Sequence, residues 1–413
     1  DSDLESWPEA NVHFEHLDRD AASLDQLADR INAIESEHGL PGNRAFYLAV
    51  PPSVFPRTID RLGRAGLNES PGWTRLVIEK PFGTDLASAH ELNDLVHRWF
   101  SEPQVYRIDH YLGKETVQNV LTFRFSNPMF EHLWNRDRVE SVEITVAEDL
   151  GIAGRAGYYE TAGALRDMVQ NHLTQVLTLV AMEPPVSFDA EQIRNEKVKV
   201  IEAIAPITAE NVVFGQYDSG LIADEPVPGY QDEENVDPES RTPTFVGLRL
   251  QIDTWRWQGV PFYLRTGKRL PTRLTQIAVT FLPPPLCIFH GARDGCDMAP
   301  NVLLITLQPD EGFTLRFSVK APGEPLTIES QELRFSHDDV YGRLPDAYQT
   351  LILDVIEGDQ TLFVRSDEVE ASWRLYDPLL DYHPKPYGYE AGTWGPAATN
   401  HDLALGGKAW TGD

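Results

Sequence analysis

At Gln104 a short apolar run begins, Gln-Val-Tyr-Arg-Ile, and it stops at Asp109. Lys114 and Glu115 then open a helical pattern that continues through Val117, Val120 and Leu121. A buried strand that ends and opens into a helix is the ligand-bearing corner of α/β proteins, because helix N-termini attract anions. This corner carries a carboxylate, an imidazole, a phenol and an ammonium: Asp109, His110, Tyr111 and Lys114. The last three suit a dianionic phosphate held by charge-assisted hydrogen bonds. An ordinary corner whose polar groups face water is the alternative reading.

The residues before it fit the same class. Leu24, Leu27, Ala28, Ile31 and Ile34 fall at helical spacing, with Ser23 as cap and a stop near Gly39. Arg44–Val50 reads as a buried strand, Pro56–Ala65 as a short helix and Leu76–Ile78 as another buried strand. Thr84 or Asp85 caps a helix that reaches Phe100. Short apolar strands alternating with helices predict a parallel sheet with right-handed crossovers. Lys80, in Glu79-Lys80-Pro81-Phe82-Gly83, sits at a strand's carboxyl end, placed to reach a cofactor and substrate hydroxyls. Lys80–Pro81 is a candidate cis peptide.

Composition excludes some functions. A net charge of −29 disfavours nucleic acid and anionic membranes as partners. An anionic ligand then needs a locally positive pocket. Only eight residues are lysine, and three of them, Lys80, Lys114 and Lys268, lie in motifs of chemical type. No apolar run approaches the roughly 18 residues of a membrane helix, and no signal peptide is read. The two cysteines, Cys287 and Cys296, flank His290, one ligand short of a structural zinc site. They read as unpaired thiols of a cytoplasmic protein, with no metal. The chain opens on Asp1 rather than Met, which suggests a start part-way into a longer protein.

Beyond Glu140 the pattern changes. Val142, Ile144 and Val146 alternate as in a half-buried strand, with Glu148 and Asp149 at its end. Gly151 to Gly157 follows that strand, but the next helix is expected near Thr161, so these glycines are not read as a pyrophosphate turn. Leu165, Met168, Val169, Leu173, Val176, Leu177 and Val180 then form the best amphipathic stripe of the chain, with His172 inside it. A satisfied core histidine is the plain reading of His172. The functional one is a neutral imidazole ready to take a proton. Asp167 lies about 140° from His172 round an α-helix, so the two are not a same-face pair. Arg166 reads as a structural ion-pair partner, and Asp224–Ser240 as a solvated acidic excursion or, less favoured, a flap. Strands then dominate, at Thr244–Ile252, Pro261–Arg265, Gln276–Phe281, Val302–Leu307 and Phe313–Lys320, which argues a large, mainly antiparallel sheet. Lys268 and Arg273 are cations available to a cleft. Two helices are read near Asp346–Glu357 and Asp367–Leu379, and an aromatic tail follows Tyr382.

Arg107 to Glu115, Glu79 to Gly83, Gly163 to His172 and Leu344 to Asp354 together resemble the glucose-6-phosphate dehydrogenase family, in its order and over nearly the whole chain. The resemblance implies a Rossmann-like coenzyme domain over 1–109 and an α+β substrate and oligomerisation domain over 110–413. It implies oxidation of glucose 6-phosphate at C1 to the phosphogluconolactone, with NADP as cofactor, and a homodimer or homotetramer. His172 is then the base and Asp109 its orienting carboxylate. His110, Tyr111 and Lys114 hold the phosphate. Glu148, Asp167, Lys268 and Arg273 serve the sugar hydroxyls, and Lys80 lies between sugar and nicotinamide. The family's opening Gly-x-x-Gly-Asp-Leu turn is not found, so the coenzyme domain is expected to be incomplete at its N-terminus. Three alternatives stay open: a dehydrogenase of unphosphorylated sugars, a non-catalytic sugar-phosphate binder, and an inactive fragment.

Overall fold

The computed structural model describes residues 13–16, 22–286, 288–289, 299–342, 346–382, 384–399, 403 and 410–411. Cys287, His290, Cys296 and Leu344 lie outside them, as does the Ser23 side chain expected as a cap. The chain forms two compact units, one of residues 1–80 with 90–107, the other of 81–89 with 108–413.

The first unit follows the expected α/β order: α1 (Ala22–His38), β1 (Arg44–Leu48), α2 (Phe55–Arg64), β2 (Thr74–Glu79), most of α3 (Leu86–Trp99) and β3 (Val105–Ile108). β1 and β2 pair in parallel, Arg44 opposite Thr74 and Leu48 opposite Ile78. β1 is an edge strand and alternates in burial instead of being buried throughout as its apolar run suggested. Arg107 is buried inside the unit, where Glu102 at 2.6 Å and Asn93 at 3.0 Å take its donors. Cis bonds occur at Gln308–Pro309 and Glu324–Pro325. Lys80–Pro81 is not among them, contrary to the sequence expectation.

The second unit is built on a nine-stranded sheet. Its elements are, in order, α4 (Glu115–Ser126), β4 (Val139–Ala147), α5 (Ala156–Ala164), a π-helix (Leu165–Leu173), α6 (Thr174–Ala181) and α7 (Ala190–Glu202). Then come β5 (Val212–Asp218), β6 (Phe245–Gln251), β7 (Pro261–Gly267), β8 (Leu274–Phe281), β9 (Val302–Gln308), β10 (Gly312–Lys320) and β11 (Ile328–Ser336). The unit closes with α8 (Ala347–Glu357), α9 (Ser366–Leu380) and β12 (Tyr387–Glu390). The sheet order is β11-β10-β9-β8-β4-β7-β6-β5-β12. It is mainly antiparallel, as expected, with parallel pairs at β4–β7 and β12–β5.

β4 is not half-buried. It sits mid-sheet, and its polar side chains Glu143 and Thr145 are buried too. The aromatic tail covers that face. Glu143 accepts from the Thr411 amide at 2.7 Å and its hydroxyl at 2.9 Å. The Arg265 guanidinium lies between Trp394 and Trp410, 4.7 and 4.4 Å from the ring centres.

The stretch read as an amphipathic helix is instead buried on every side from His172 to Met182. A buried helix end must find partners for its last carbonyls. Arg124 donates to Leu179 O and Met182 O, Trp134 to Val180 O and Trp257 to Ala181 O, each at 2.8 Å. The acidic segment 224–240 is mostly exposed, as read, but it is anchored at a few buried points. Tyr230 is fully buried with its hydroxyl on Glu160, and Ser240 donates to the same carboxylate at 2.8 Å. Tyr230 and Val236 are its buried apolar anchors, which the charge around them hides in the sequence.

Lys197 on α7 and Glu368 on α9 form a fully buried ion pair at 2.7 Å. Removing one charge leaves the other uncompensated, at a cost of about 3–5 kcal/mol. Lys197→Met should therefore lower unfolding stability by that amount in urea titration, and Lys197→Met with Glu368→Leu should recover most of it. A single substitution costing under about 1 kcal/mol contradicts this account.

Candidate active site

One end of the sheet gathers the polar groups. β4 and β7 are parallel neighbours with Ala147 opposite Gly267, so the residues that follow them, Glu148 and Lys268, emerge together. Glu148 Oε2 meets Lys268 Nζ at 2.7 Å, and the Glu148 amide donates to Gly267 O. β8 starts at the same end, Leu274 opposite Ala147, which places Arg273 there. β9 finishes there, with Gln308 opposite Thr275.

The Asp109 corner faces this end. After β3 the chain turns through Asp109–Leu112, and α4 begins with Lys114 as its N-cap. Gly113 is required by packing: a Cβ would lie 2.7 Å from Ala347 O and 2.8 Å from Leu351 on α8. Lys114 Nζ donates to Gln308 Oε1 at 2.6 Å and stands 4.2 Å over the Tyr111 ring. Arg273 Nη2 reaches the same Gln308 oxygen at 3.4 Å, while the Gln308 amide nitrogen donates to Thr275 at 2.7 Å. Two cations therefore share one neutral acceptor, an arrangement that favours an anion. Burial and the like charge of Arg273 bring the Lys114 ammonium down to about 8, against the pull of Glu311 and Asp109. Burial and the Glu148 charge push the Tyr111 phenol above its ordinary range, so it remains a donor.

His172 Nδ1 and Asp109 Oδ1 are 2.6 Å apart, and both side chains are buried. The Tyr111 amide donates to the same Asp109 oxygen at 3.0 Å. Burial opposes ionisation of Asp109. The charge and hydrogen bond of His172, with His110 and the Tyr111 amide, overcome that and bring the carboxyl to about 2. A buried carboxylate on one imidazole nitrogen fixes the ring and stabilises its protonated form, which suits the other nitrogen to general-base work. The His172 ring stacks on Tyr111 at 4.3 Å and meets His110 edge-on at 4.7 Å. Ligand atoms of Asp109, His110 and His172 lie within 4.8 Å of one another, the one such trio among the described residues. The Asp109–His172 bond commits an atom of each to the other, so the trio reads as an acid–base unit.

Asp167 is reached by Tyr158, whose hydroxyl donates to Asp167 Oδ1 at 3.0 Å. The π-helix changes the expected angle. Its i→i+5 bonds put more residues in each turn, so Asp167 and His172, five apart, approach one face more closely than on an α-helix. Arg166 holds carbonyls, Thr84 O at 2.8 Å and Thr161 O at 3.3 Å, rather than an acid. α5 starts at Ala156, not near Thr161, so a helix does follow Gly151–Gly157 directly. β4 before it nevertheless belongs to the mixed sheet and not to the first unit. Lys80 follows β2 in the first unit and is half-buried. Arg273 stands with Lys114 rather than with Glu148 and Lys268. Gln308, Tyr158 and Tyr159 were missed, since each is an ordinary residue until the sheet and the helix kink place it.

Two family descriptions match the chain: "Glucose-6-phosphate dehydrogenase, NAD binding domain" over residues 3–119 and "Glucose-6-phosphate dehydrogenase, C-terminal domain" over 121–411. The first match corrects the expectation of a missing N-terminal unit: the domain is present, although the first glycine of the sequence is Gly39. The glucose-6-phosphate 1-dehydrogenase of Aggregatibacter actinomycetemcomitans is 46% identical over 400 residues, covering 95% of this chain and 80% of that protein. That of Chlamydia trachomatis is 44% identical over 404 residues, covering 95% and 92%. A solved glucose-6-phosphate dehydrogenase in complex with its substrate glucose-6-phosphate superposes with a TM-score of 0.87 at 38% identity, over 95% of this chain and 81% of that one.

The Lys114–Arg273 pair gives a pH rule. The Lys114 charge is present below about 8 and lost above it, so anion affinity falls as pH rises through that value. Calorimetry with sulfate, which does not titrate here, should show about tenfold weaker binding at about pH 9 than at about pH 7. Lys114→Ala should bind more weakly and without that slope; an unchanged slope removes Lys114 from the anion site.

Proposed function

The chain belongs to the glucose-6-phosphate dehydrogenase family, and from that premise we propose that it oxidises D-glucose 6-phosphate at C1 to 6-phospho-D-glucono-1,5-lactone with NADP as hydride acceptor, the step that opens the pentose phosphate pathway. The observation that carries this is the buried Asp109–His172 pair at 2.6 Å beside the anion site of Lys114 and Arg273.

His172 takes the C1 hydroxyl proton, and Asp109 holds the ring and the charge it acquires. His110, Tyr111, Lys114 and Arg273 anchor the phosphate far from C1, so remote binding energy positions the reacting carbon. Gln308, which spaces the two cations in the structure, joins them. Glu148, Lys268 and Asp167 bind sugar hydroxyls. The first unit's residues fit a dinucleotide: parallel β1 and β2 end side by side, and Lys80 follows β2 at the carboxyl edge where such ligands bind. NADP supplies, when bound, a place for the hydride. Lys80 is the residue we assign to it.

The second copy implied by a homodimer has a surface to use. β11 is an edge strand nine residues long, largely exposed, with Leu333 62% exposed. Such an edge invites pairing with another chain. On the family likeness we assign the enzyme to the cytoplasm; no described helix is long and apolar enough to cross a membrane.

Reduction of NADP by the purified chain with glucose 6-phosphate tests the reading, and free glucose serves as the comparison. His172→Asn should lower kcat by about a hundredfold or more with the fold retained. Loss of less than tenfold overturns the base assignment. Sedimentation velocity should find a dimer; a monomer at assay concentrations excludes the edge-strand interface.

A further inference from the structure

Tyr158 and Asp167 are nine residues apart. On a continuous α-helix they would stand about 13.5 Å apart along the axis and on opposite faces. They meet because Gly163 breaks the helix, with φ 57° and ψ 177°. That combination is essentially confined to glycine. Space is not the constraint there, since a Cβ would meet Pro243 O at an ordinary 3.4 Å. The Ala164 amide bonds that same carbonyl at 2.9 Å, which ties the kink to the segment after Ser240.

The geometry points to Tyr158 as a positioning residue that sets which sugar hydroxyl Asp167 binds, an assignment that rests on the proposed dehydrogenase reading. Its hydroxyl occupies Asp167 Oδ1 and so orients the carboxylate for the incoming sugar. Burial, then the charge and hydrogen bond of Asp167, raise the phenol above its ordinary range, so Tyr158 stays a donor at every working pH. The neighbouring Tyr159 has a matching place. It is buried, and Lys268 Nζ stands 5.2 Å over its ring while bonded to Glu148. Consecutive tyrosines on one helix thus steer the two hydroxyl-binding acids, one directly and one through the lysine.

The test compares parent, Tyr158→Phe and Asp167→Asn on glucose 6-phosphate and its monodeoxy analogues. Tyr158→Phe should raise KM for glucose 6-phosphate about tenfold, the loss of one charge-assisted hydrogen bond, with kcat within about twofold. One deoxy analogue, lacking the hydroxyl that Asp167 holds, should be insensitive to Asp167→Asn. The same analogue should be insensitive to Tyr158→Phe. A penalty equal for every analogue means a structural role and overturns the assignment, as does no penalty at all. If the parent itself gives no turnover, the dehydrogenase reading falls first. If the parent is active and Tyr158→Phe behaves as the parent, only the tyrosine assignment falls.

Discussion

The structure turns on a buried carboxylate that shares a proton with a buried imidazole. Asp109 and His172 come from different elements of the second unit, one on a turn after β3, the other on a π-helix. Neither would be tolerated alone, because an unpaired charge at such depth costs several kcal/mol (on the order of the solvation it gives up). Much of the surrounding design keeps the two in register. The helix under His172 is buried on all sides, and its last four carbonyls are taken by one arginine and two tryptophans. Gly113 lets α8 close on the turn that carries Asp109.

Charge is distributed to match. The protein as a whole is strongly acidic, yet Lys114 and Arg273 are brought to one neutral amide oxygen. Their mutual repulsion is strain that an anion placed between them would relieve. At the other side of the cluster, the Glu148–Lys268 pair is already neutral. It therefore suits neutral hydroxyls better than a phosphate. The division of labour follows from element ends: β4 and β7 supply the neutral pair, while the start of α4 supplies Lys114, the start of β8 Arg273 and the end of β9 the Gln308 between them.

Much of this was legible in the sequence where local chemistry decides. Asp85 does cap α3, accepting the Ser88 amide at 2.8 Å, and Lys114 does open α4. Of the motif residues after Ile108, Asp109 meets His172, and Lys114 and His110 both meet the Tyr111 ring. What the sequence hid depends on distant partners. β5, β11 and β12 went unread because pairing, more than alternation, makes them strands. The π-helix has the composition of an α-helix, so the angle between Asp167 and His172 was misjudged. Gln308 carries no motif; only the register of β8 and β9 gives it a role. The acidic segment before Ser240 is largely exposed as read, but its buried anchor Tyr230 was outnumbered by charged neighbours and went unseen.

The tail that covers the back of the sheet bears on how the molecule is made. Glu143 lies on a central strand, but Thr411 is 268 residues further along the chain. Arg265 likewise waits for Trp410. At roughly 5–20 residues per second, a ribosome needs about 13–50 seconds to bridge that interval. During it, an acid and a guanidinium destined for burial stand without these partners, while the first unit has every strand of its β1–β2 pair in hand. Synthesis order therefore leaves the centre of the nine-stranded sheet uncovered on this face until nearly the last residues arrive.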